Sequence, residues 1–288
     1  VGHSQGEIAA AHVAGALSLE DAARAAALRG RALVELAGAG GMMSVFLPAA
    51  DVLARIERFG GRISLASYNG PRSTVVAGEP QALRELLGEC EAAGERARMI
   101  AVDYASHSVQ IEAIRARLIE DLRPIAPVSA PVAIMSTTTA ALVDGAQLDA
   151  EHWYRNLREP VRFEQATRAL VQDGVTAFIE SSPHPVLTWA VQETVDDAAA
   201  DPDRVAVVGS LRRGEGNLAR FLSSAGEAFA HGVEVDWEVA FAGAEPRRVG
   251  LPAYPFERTR FWFDGAGAGG RGGATSLAAA GVGAAEHP

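Results

Sequence analysis

Apolar residues along the chain change period several times, and each change marks an element. Residues 5–16 are rich in Ala and Ile and predict a helix closed by Gly15. Ser18, with Asp21 three residues on, forms a capping-box-like start for a second helix, which runs to about residue 36 before Gly38, Gly40 and Gly41 break the chain. Strand and helix patterns then alternate. Residues 43–47 predict a strand, and 50–59 a helix with Val52, Leu53, Ile56 and Phe59 on one face. Residues 63–68 and 74–77 predict strands joined by a turn at Asn69-Gly70-Pro71. A helix over 80–93 carries Leu83, Leu86, Leu87 and Cys90, and a strand over 98–102 follows. The order β-α-β-β-α-β over roughly sixty residues is the split-βαβ, ferredoxin-like arrangement, read as a small subdomain inserted in a larger one. Beyond it come a helix over 109–122 stopped by Pro124 and Pro127, a strand over 132–136, and a segment from His152 to Pro160. A helix over 163–173, a strand over 177–180 and a helix from Val186 complete this part. A polar stretch near 198–203 precedes a strand over 205–208 and a helix over 218–230. The alternation outside the insert predicts an α/β layer structure with a mostly parallel sheet.

Composition narrows the function classes. Of 288 residues, 26 are basic and 36 acidic, a net charge of −10. That balance argues against a nucleic-acid binder, which needs a basic face against phosphates. Every basic residue is Arg, which excludes Schiff-base and P-loop lysine mechanisms. No apolar run reaches the length of a bilayer span, so no membrane partner is expected. The single cysteine, Cys90, excludes an internal disulfide, fits a reducing, cytoplasmic compartment and reads as a small buried hydrophobe. The chain opens at Val1 without an initiator Met or a signal peptide, and residues 264–288 are largely Gly, Ala and small polar residues, the composition of a flexible linker. Both ends suggest a piece of something longer.

Chemistry concentrates at the start of the chain. Gly2-His3-Ser4-Gln5-Gly6 matches G-x-S-x-G, the nucleophile elbow, in which the Ser sits on a strained turn where the flanking glycines avoid collisions. The following helix points its N-terminus at Ser4, and the Gln5 backbone N–H is placed to donate to an oxyanion. The competing reading is a Gly-rich turn with a Ser N-cap. A nucleophilic Ser needs a base. Among the histidines, His12, His231 and His287 read as bystanders and His184, between two prolines, as a turn element. His107 lies where a predicted strand ends and a helix begins, the position at which catalytic groups collect in α/β proteins. Arg29 interrupts an Ala-rich helix; it either reaches solvent or forms a fork for a carboxylate.

Taken together, Gly2-His3-Ser4-Gln5-Gly6-Glu7, Leu28-Arg29-Gly30-Arg31 and Tyr104-Ala105-Ser106-His107 resemble the acyltransferase domain of modular type I polyketide synthases. The resemblance extends through Ser67-Tyr68-Asn69-Gly70-Pro71, Trp153-Tyr154-Arg155-Asn156-Leu157, the run from Glu180 to Leu187, and Leu251-Pro252-Ala253-Tyr254-Pro255-Phe256, covering about residues 1–263 in family order. It implies a hydrolase-like parallel-sheet α/β domain (1–40 and 105–200, its N-terminal part missing), a ferredoxin-like α+β subdomain (41–104), a post-acyltransferase linker (201–263) and a flexible linker (264–288). The aromatic set Tyr254, Phe256, Phe261, Trp262 and Phe263 then reads as a contact surface or as cover for the parent core.

The resemblance also implies roles. Ser4 resembles the nucleophile that takes the acyl group from a coenzyme A thioester. His107 resembles its base, oriented by a backbone carbonyl assigned to Asn156 rather than by an Asp. Arg29 resembles the clamp on the substrate carboxylate, and the Gln5 N–H one oxyanion donor; the family's second donor precedes the elbow and has no counterpart here. No metal and no cofactor held by this domain are implied: coenzyme A enters as a thioester substrate, and phosphopantetheine belongs to the partner acyl carrier protein. An adjacent ketosynthase is the other implied partner, contacted through the linker. In the family, Tyr-Ala-Ser-His with Gln after the nucleophile accompanies methylmalonyl-CoA, so Gln5, Tyr104, Ala105 and Ser106 point to that substrate. Competing readings are a malonyl-specific acyltransferase, a Ser hydrolase or thioesterase, and an inert fragment with a scaffold or docking role. A hydrolase predicts a late catalytic His and no carboxylate clamp.

Overall fold

Helix α1, Gly6–Ala14, starts directly after the elbow and ends on Gly15 in the left-handed region, φ 89°. Its buried stripe is Glu7, Ile8, Ala11 and Ala14. Helix α2, Leu19–Leu33, begins as the sequence predicts, with the Ser18 hydroxyl accepting from the Asp21 N–H at 3.0 Å. Its buried stripe consists of Ala22, Ala25, Arg29 and Ala32, so the guanidinium faces the interior, not solvent. The structure, a computed structural model, describes residues 1–243 and 249–257.

The insert forms as the pattern predicts. Its elements are β1 (Gly41–Val45), α3 (Ala49–Ile56), β2 (Ile63–Gly70), β3 (Ser73–Gly78), α4 (Pro80–Ala92) and β4 (Ala97–Ile100). The four strands run antiparallel in the order β4-β1-β3-β2. Met43, Val45, Phe59, Leu83, Leu86 and Cys90 form its separate core. Each such side chain contributes about 1.5–3 kcal/mol on burial, which is why the insert holds its own shape. The turn differs from the sequence reading. Gly70 pairs with Ser73, so the hairpin loop is Pro71 and Arg72, not Asn69-Gly70-Pro71. Gly70 is needed for a different reason: a Cβ there would lie 2.9 Å from the Ala190 carbonyl oxygen.

Outside the insert the elements are α5 (Arg115–Leu122), β5 (Ile134–Ser136), β6 (Ala141–Val143), α6 (Ala150–Arg158), β7 (Val161–Arg162), α7 (Phe163–Gln172), β8 (Ala177–Glu180), α8 (Thr188–Ala198), β9 (Ala206–Gly209) and α9 (Leu218–Ala230). The predicted single helix over 109–122 begins as a 3₁₀ turn, Val109–Ile114, because the Ser108 hydroxyl accepts from the N–H only two residues on. The class is α/β, with the parallel pairing among the described residues confined to β2–β7 and β8–β9. Strands β5 and β6 are antiparallel, since a short turn ending at Ala140 (φ 54°) reverses the chain where a parallel neighbour would need a long crossover. Strand β9 shares a sheet with β8, so residues 206–209 belong to the same compact unit, which spans Val1–Ala240.

The second core lies between α1, α2, α5 and α6, with Trp153 its largest fully buried side chain. No helix among the described residues is long and apolar enough to cross a membrane. The second unit, Phe241–Pro288, has no helix or strand among its described residues, and the rings of Tyr254 and Phe256 lie 4.9 Å apart by centroid. Phe261, Trp262, Phe263 and the segment 264–288 lie outside the described residues.

Candidate active site

The turn into α1 holds Ser4 at φ 53°, in the left-handed region that non-glycine residues seldom occupy. Gly2 makes the turn possible, because a Cβ there would sit 2.3 Å from the Glu7 nitrogen. Gly6 is not required in this way, since a Cβ would meet nothing within 4 Å among the described residues. Behind the elbow, His3 Nε2 lies 2.8 Å from Asn69 Oδ1 and 3.1 Å from Ser67 Oγ, both on β2. The ring of Phe163 meets the His3 ring edge-on. Those contacts tie the insert to the elbow. They also give Ser67 and Asn69, quoted above only as parts of a motif, a physical role: alternate residues of one strand face the same side.

His107, which is buried, is also held at positive φ, 57°. Its Nε2 is 2.8 Å from Ser4 Oγ, and its Nδ1 is 2.7 Å from the Glu159 carbonyl oxygen. A carbonyl only accepts, so Nδ1 carries the proton and Nε2 is left to accept from the Ser4 hydroxyl. This corrects the assignment to Asn156: the orienting carbonyl is that of Glu159. Glu159, just past α6, is extended (φ −81°, ψ 155°), and this turns its carbonyl out of the helix direction and onto the ring. Burial first, and the Arg29 charge second, push His107 down to about 3, so the imidazole is neutral at ordinary pH.

Arg29, 5% exposed, donates from one guanidinium nitrogen to Ser4 Oγ (2.9 Å) and from another to Asn156 Oδ1 (2.5 Å). Burial pushes it down to about 10, still cationic near neutrality. Nucleophile, neutral imidazole and buried cation therefore converge on one oxygen. Tyr104 stands close enough to Arg29 to act on it electrostatically, and Ala105, Ser106 and His107 are buried. Gly40 fits against this segment because a Cβ there would lie 2.5 Å from the Ala105 nitrogen. The Gln5 N–H, at the N-cap of α1, has no acceptor among the described residues and is free to donate to a bound oxygen.

Two functional residues escape the sequence reading. Glu7 is fully buried, and its carboxylate accepts from Ser136 Oγ (2.7 Å), Thr137 N (3.0 Å), Thr137 Oγ1 (2.8 Å) and His152 Nε2 (3.0 Å). Burial would raise its pKa, but these donors outweigh it and the net direction is down. The signal was available: Glu7 is on the stripe that Ala11 and Ala14 continue, the face an amphipathic helix buries. His152 carried no such cue. Asn156 Nδ2 completes the set, 3.4 Å from Glu7 Oε2 and 3.3 Å from the Ser4 carbonyl oxygen. His184 accepts weakly from the Arg213 N–H at 3.4 Å, and Glu180 anchors α8 by accepting from the Val186, Leu187 and Thr188 N–H groups. Among the described residues no group of three or more His, Cys, Asp or Glu could hold a metal ion.

A base held neutral by burial has an acid limb displaced to lower pH. For the free protein, kcat/KM for acylation is expected to stay level as pH falls from 8 to 6 and to decline only well below the ordinary histidine value of 6.5. An inflection at 6.5 in the pH profile would show that burial does not depress this group.

A family model described as acyl transferase domain matches residues 1–235. Polyketide synthase GfsE of Streptomyces halstedii is 54% identical over all of this chain, which spans 7% of that protein. Erythronolide synthase EryA3 of Saccharopolyspora erythraea is 56% identical over 91% of the chain, which here spans 8% of the relative. Among solved structures, the acyltransferase domain from module 8 of the salinomycin polyketide synthase is 57% identical, with TM-score 0.80, covering 82% of this chain and 55% of that one.

Proposed function

The chain belongs to the acyl transferase domain family, in the form found in modular polyketide synthases, and from that premise we propose a specific transfer. A methylmalonyl unit moves from coenzyme A to an ester on Ser4, and from there to the phosphopantetheine thiol of an acyl carrier protein. The observation that carries this reading is the convergence of His107 Nε2 and Arg29 on Ser4 Oγ, at 2.8 and 2.9 Å.

The steps follow from the geometry. The Ser4 hydroxyl gives its proton to His107 Nε2 while Oγ attacks the thioester carbonyl. The oxyanion forms at the N-terminus of α1, within reach of the Gln5 N–H. The C–S bond then breaks, and the imidazolium proton goes to the departing coenzyme A sulfur. In the second half the carrier thiol gives its proton to His107 and attacks the seryl ester, the C–O bond breaks, and Ser4 recovers the proton. The Glu159 carbonyl holds the imidazole in the tautomer both halves need. Arg29, whose forked donors suit a carboxylate, binds the free carboxyl of the extender unit. No cofactor is required of this domain: coenzyme A is substrate, and phosphopantetheine is carried by the partner. The segment from 201 onward is proposed to face an adjacent ketosynthase.

The methylmalonyl preference rests on Tyr104-Ala105-Ser106 beside His107, together with Gln5. A small Ser next to the base leaves room for an α-methyl group that a Phe would fill. One methyl contributes about 1–3 kcal/mol of discrimination. The double variant Tyr104→His/Ser106→Phe is therefore expected to shift selectivity toward malonyl-CoA by roughly 10–200-fold. Competition between the two labelled thioesters measures this, and an unmoved ratio counts against the pocket argument. The transfer itself is tested by incubating the protein with labelled methylmalonyl-CoA, with and without phosphopantetheinylated carrier protein. Label on the carrier supports the reading; release as free acid in both arms would make the protein a hydrolase.

A further inference from the structure

The site contains a buried anion as well as a buried cation, and the two do not touch. Glu7 is 0% exposed and Arg29 5% exposed. One amide separates them: Asn156, itself buried, accepts from Arg29 on its Oδ1 and turns its Nδ2 to Glu7 Oε2 and the Ser4 carbonyl. An amide has two orientations of nearly equal shape, and only its neighbours choose between them. A carboxylate on one side and a guanidinium on the other leave a single choice, donors toward the anion and acceptor toward the cation. The carboxylate is itself fixed. Ser136 and Thr137, at the end of β5, and His152, on α6, hold it with four donors from outside the elbow.

We infer that Glu7 is a positioning residue for the carboxylate clamp: acting through the Asn156 amide, it sets the place of the Arg29 guanidinium beside Ser4. Glu7 touches neither substrate nor the reacting oxygen. A neutral Gln at position 7 weakens the pull on Asn156 Nδ2 and removes the buried negative charge that acts on Arg29, so the amide is held in place by Arg29 and the Ser4 carbonyl alone. The guanidinium is then less firmly placed, and the loss falls on substrates whose carboxylate needs the fork aligned. This inference rests on the reading of Arg29 as the clamp.

The test compares kcat/KM for methylmalonyl-CoA with that for propionyl-CoA, which has the same carbon skeleton at the thioester without the free carboxylate. Glu7→Gln is expected to lower the ratio by roughly ten- to a hundredfold, the size of one misaligned charge-assisted hydrogen bond. Most of the loss should fall on KM for the carboxylated substrate. A merely structural role lowers both substrates alike, and an unchanged ratio overturns the inference. If Glu7→Gln fails to fold by far-UV circular dichroism, Asn156→Ala decides. It cuts the bridge and leaves Glu7 its four other donors, so the same fall is expected, and an unchanged ratio again overturns the inference. When both variants fold, the double variant should fall no further than either single one, whereas additive losses count against a shared path. Arg29→Ala separates the two levels. If it leaves the ratio intact the clamp reading itself fails; if it collapses the ratio while Glu7→Gln does not, only the present inference fails.

Discussion

Ser4→Ala is expected to abolish the covalent acyl-enzyme completely. Among the described residues, its hydroxyl is the one side-chain group hydrogen-bonded to both His107 and Arg29. The single thiol, Cys90, is buried in the separate core of the insert, on α4. Intact mass measured after exposure to methylmalonyl-CoA should show no adduct in the variant and a single acyl adduct in the parent. An adduct that survives the substitution would place the nucleophile elsewhere. His107→Ala should behave differently: the ester still forms, slowed by about 10²–10⁴-fold, the usual contribution of a positioned base. The two variants together distinguish a lost nucleophile from a lost proton acceptor.

The largest stability effect is expected from His152→Leu. This substitution keeps much of the volume but removes one donor to a carboxylate with no access to water. Removing one hydrogen bond to a buried carboxylate costs about 1.5–3 kcal/mol, with Ser136, Thr137 and Asn156 still donating to it. The pH dependence follows from Glu7. Its pKa in the folded parent lies below the ordinary carboxylate value of 4.5, so its stabilising contribution is present above that value and is lost as pH falls through the depressed one. Without His152, burial gains weight and Glu7 takes up a proton at higher pH. The deficit of the variant should therefore be greatest near pH 7 and shrink toward pH 5. Urea unfolding at the two pH values, with matching slopes, measures this. A deficit of the same size at both would assign the loss to packing, such as the edge-on contact between the His152 and Trp153 rings.

Features governed by near neighbours were the ones legible beforehand. The β-α-β-β-α-β order of the insert, the Ser18 cap and the Gly15 stop depend on residues a few positions apart, and each appears where the pattern places it. The shortest strands were not legible: β6 and β7, of three and two residues, are too brief to show a period. Gly70 looked like a turn residue because glycine usually is one, while its actual constraint is the approach of Ala190 from α8. For Arg29 the Ala-rich context favoured solvent over a carboxylate fork, and the packing of α2 placed the side chain inside. Asn156 had the right neighbourhood and the wrong atom: its side chain, not its carbonyl, works in the site, and Glu159 supplies the carbonyl because the helix ends there.

By itself the sequence determined the local devices: the elbow with Gly2 beneath it, the helix that follows, the insert, and the kinds of group available for chemistry. These rest on steric limits and hydrogen bonds that act within about a turn of chain. The tertiary structure alone decided which groups meet. Ser4 and His107 are 103 positions apart, Arg29 and Asn156 127, Glu7 and His152 145. No local rule specifies such contacts. They follow from burying the stripes of α1, α2 and α6 against one another, which takes a carboxylate, an amide and a guanidinium out of water together and leaves them to find partners within the protein.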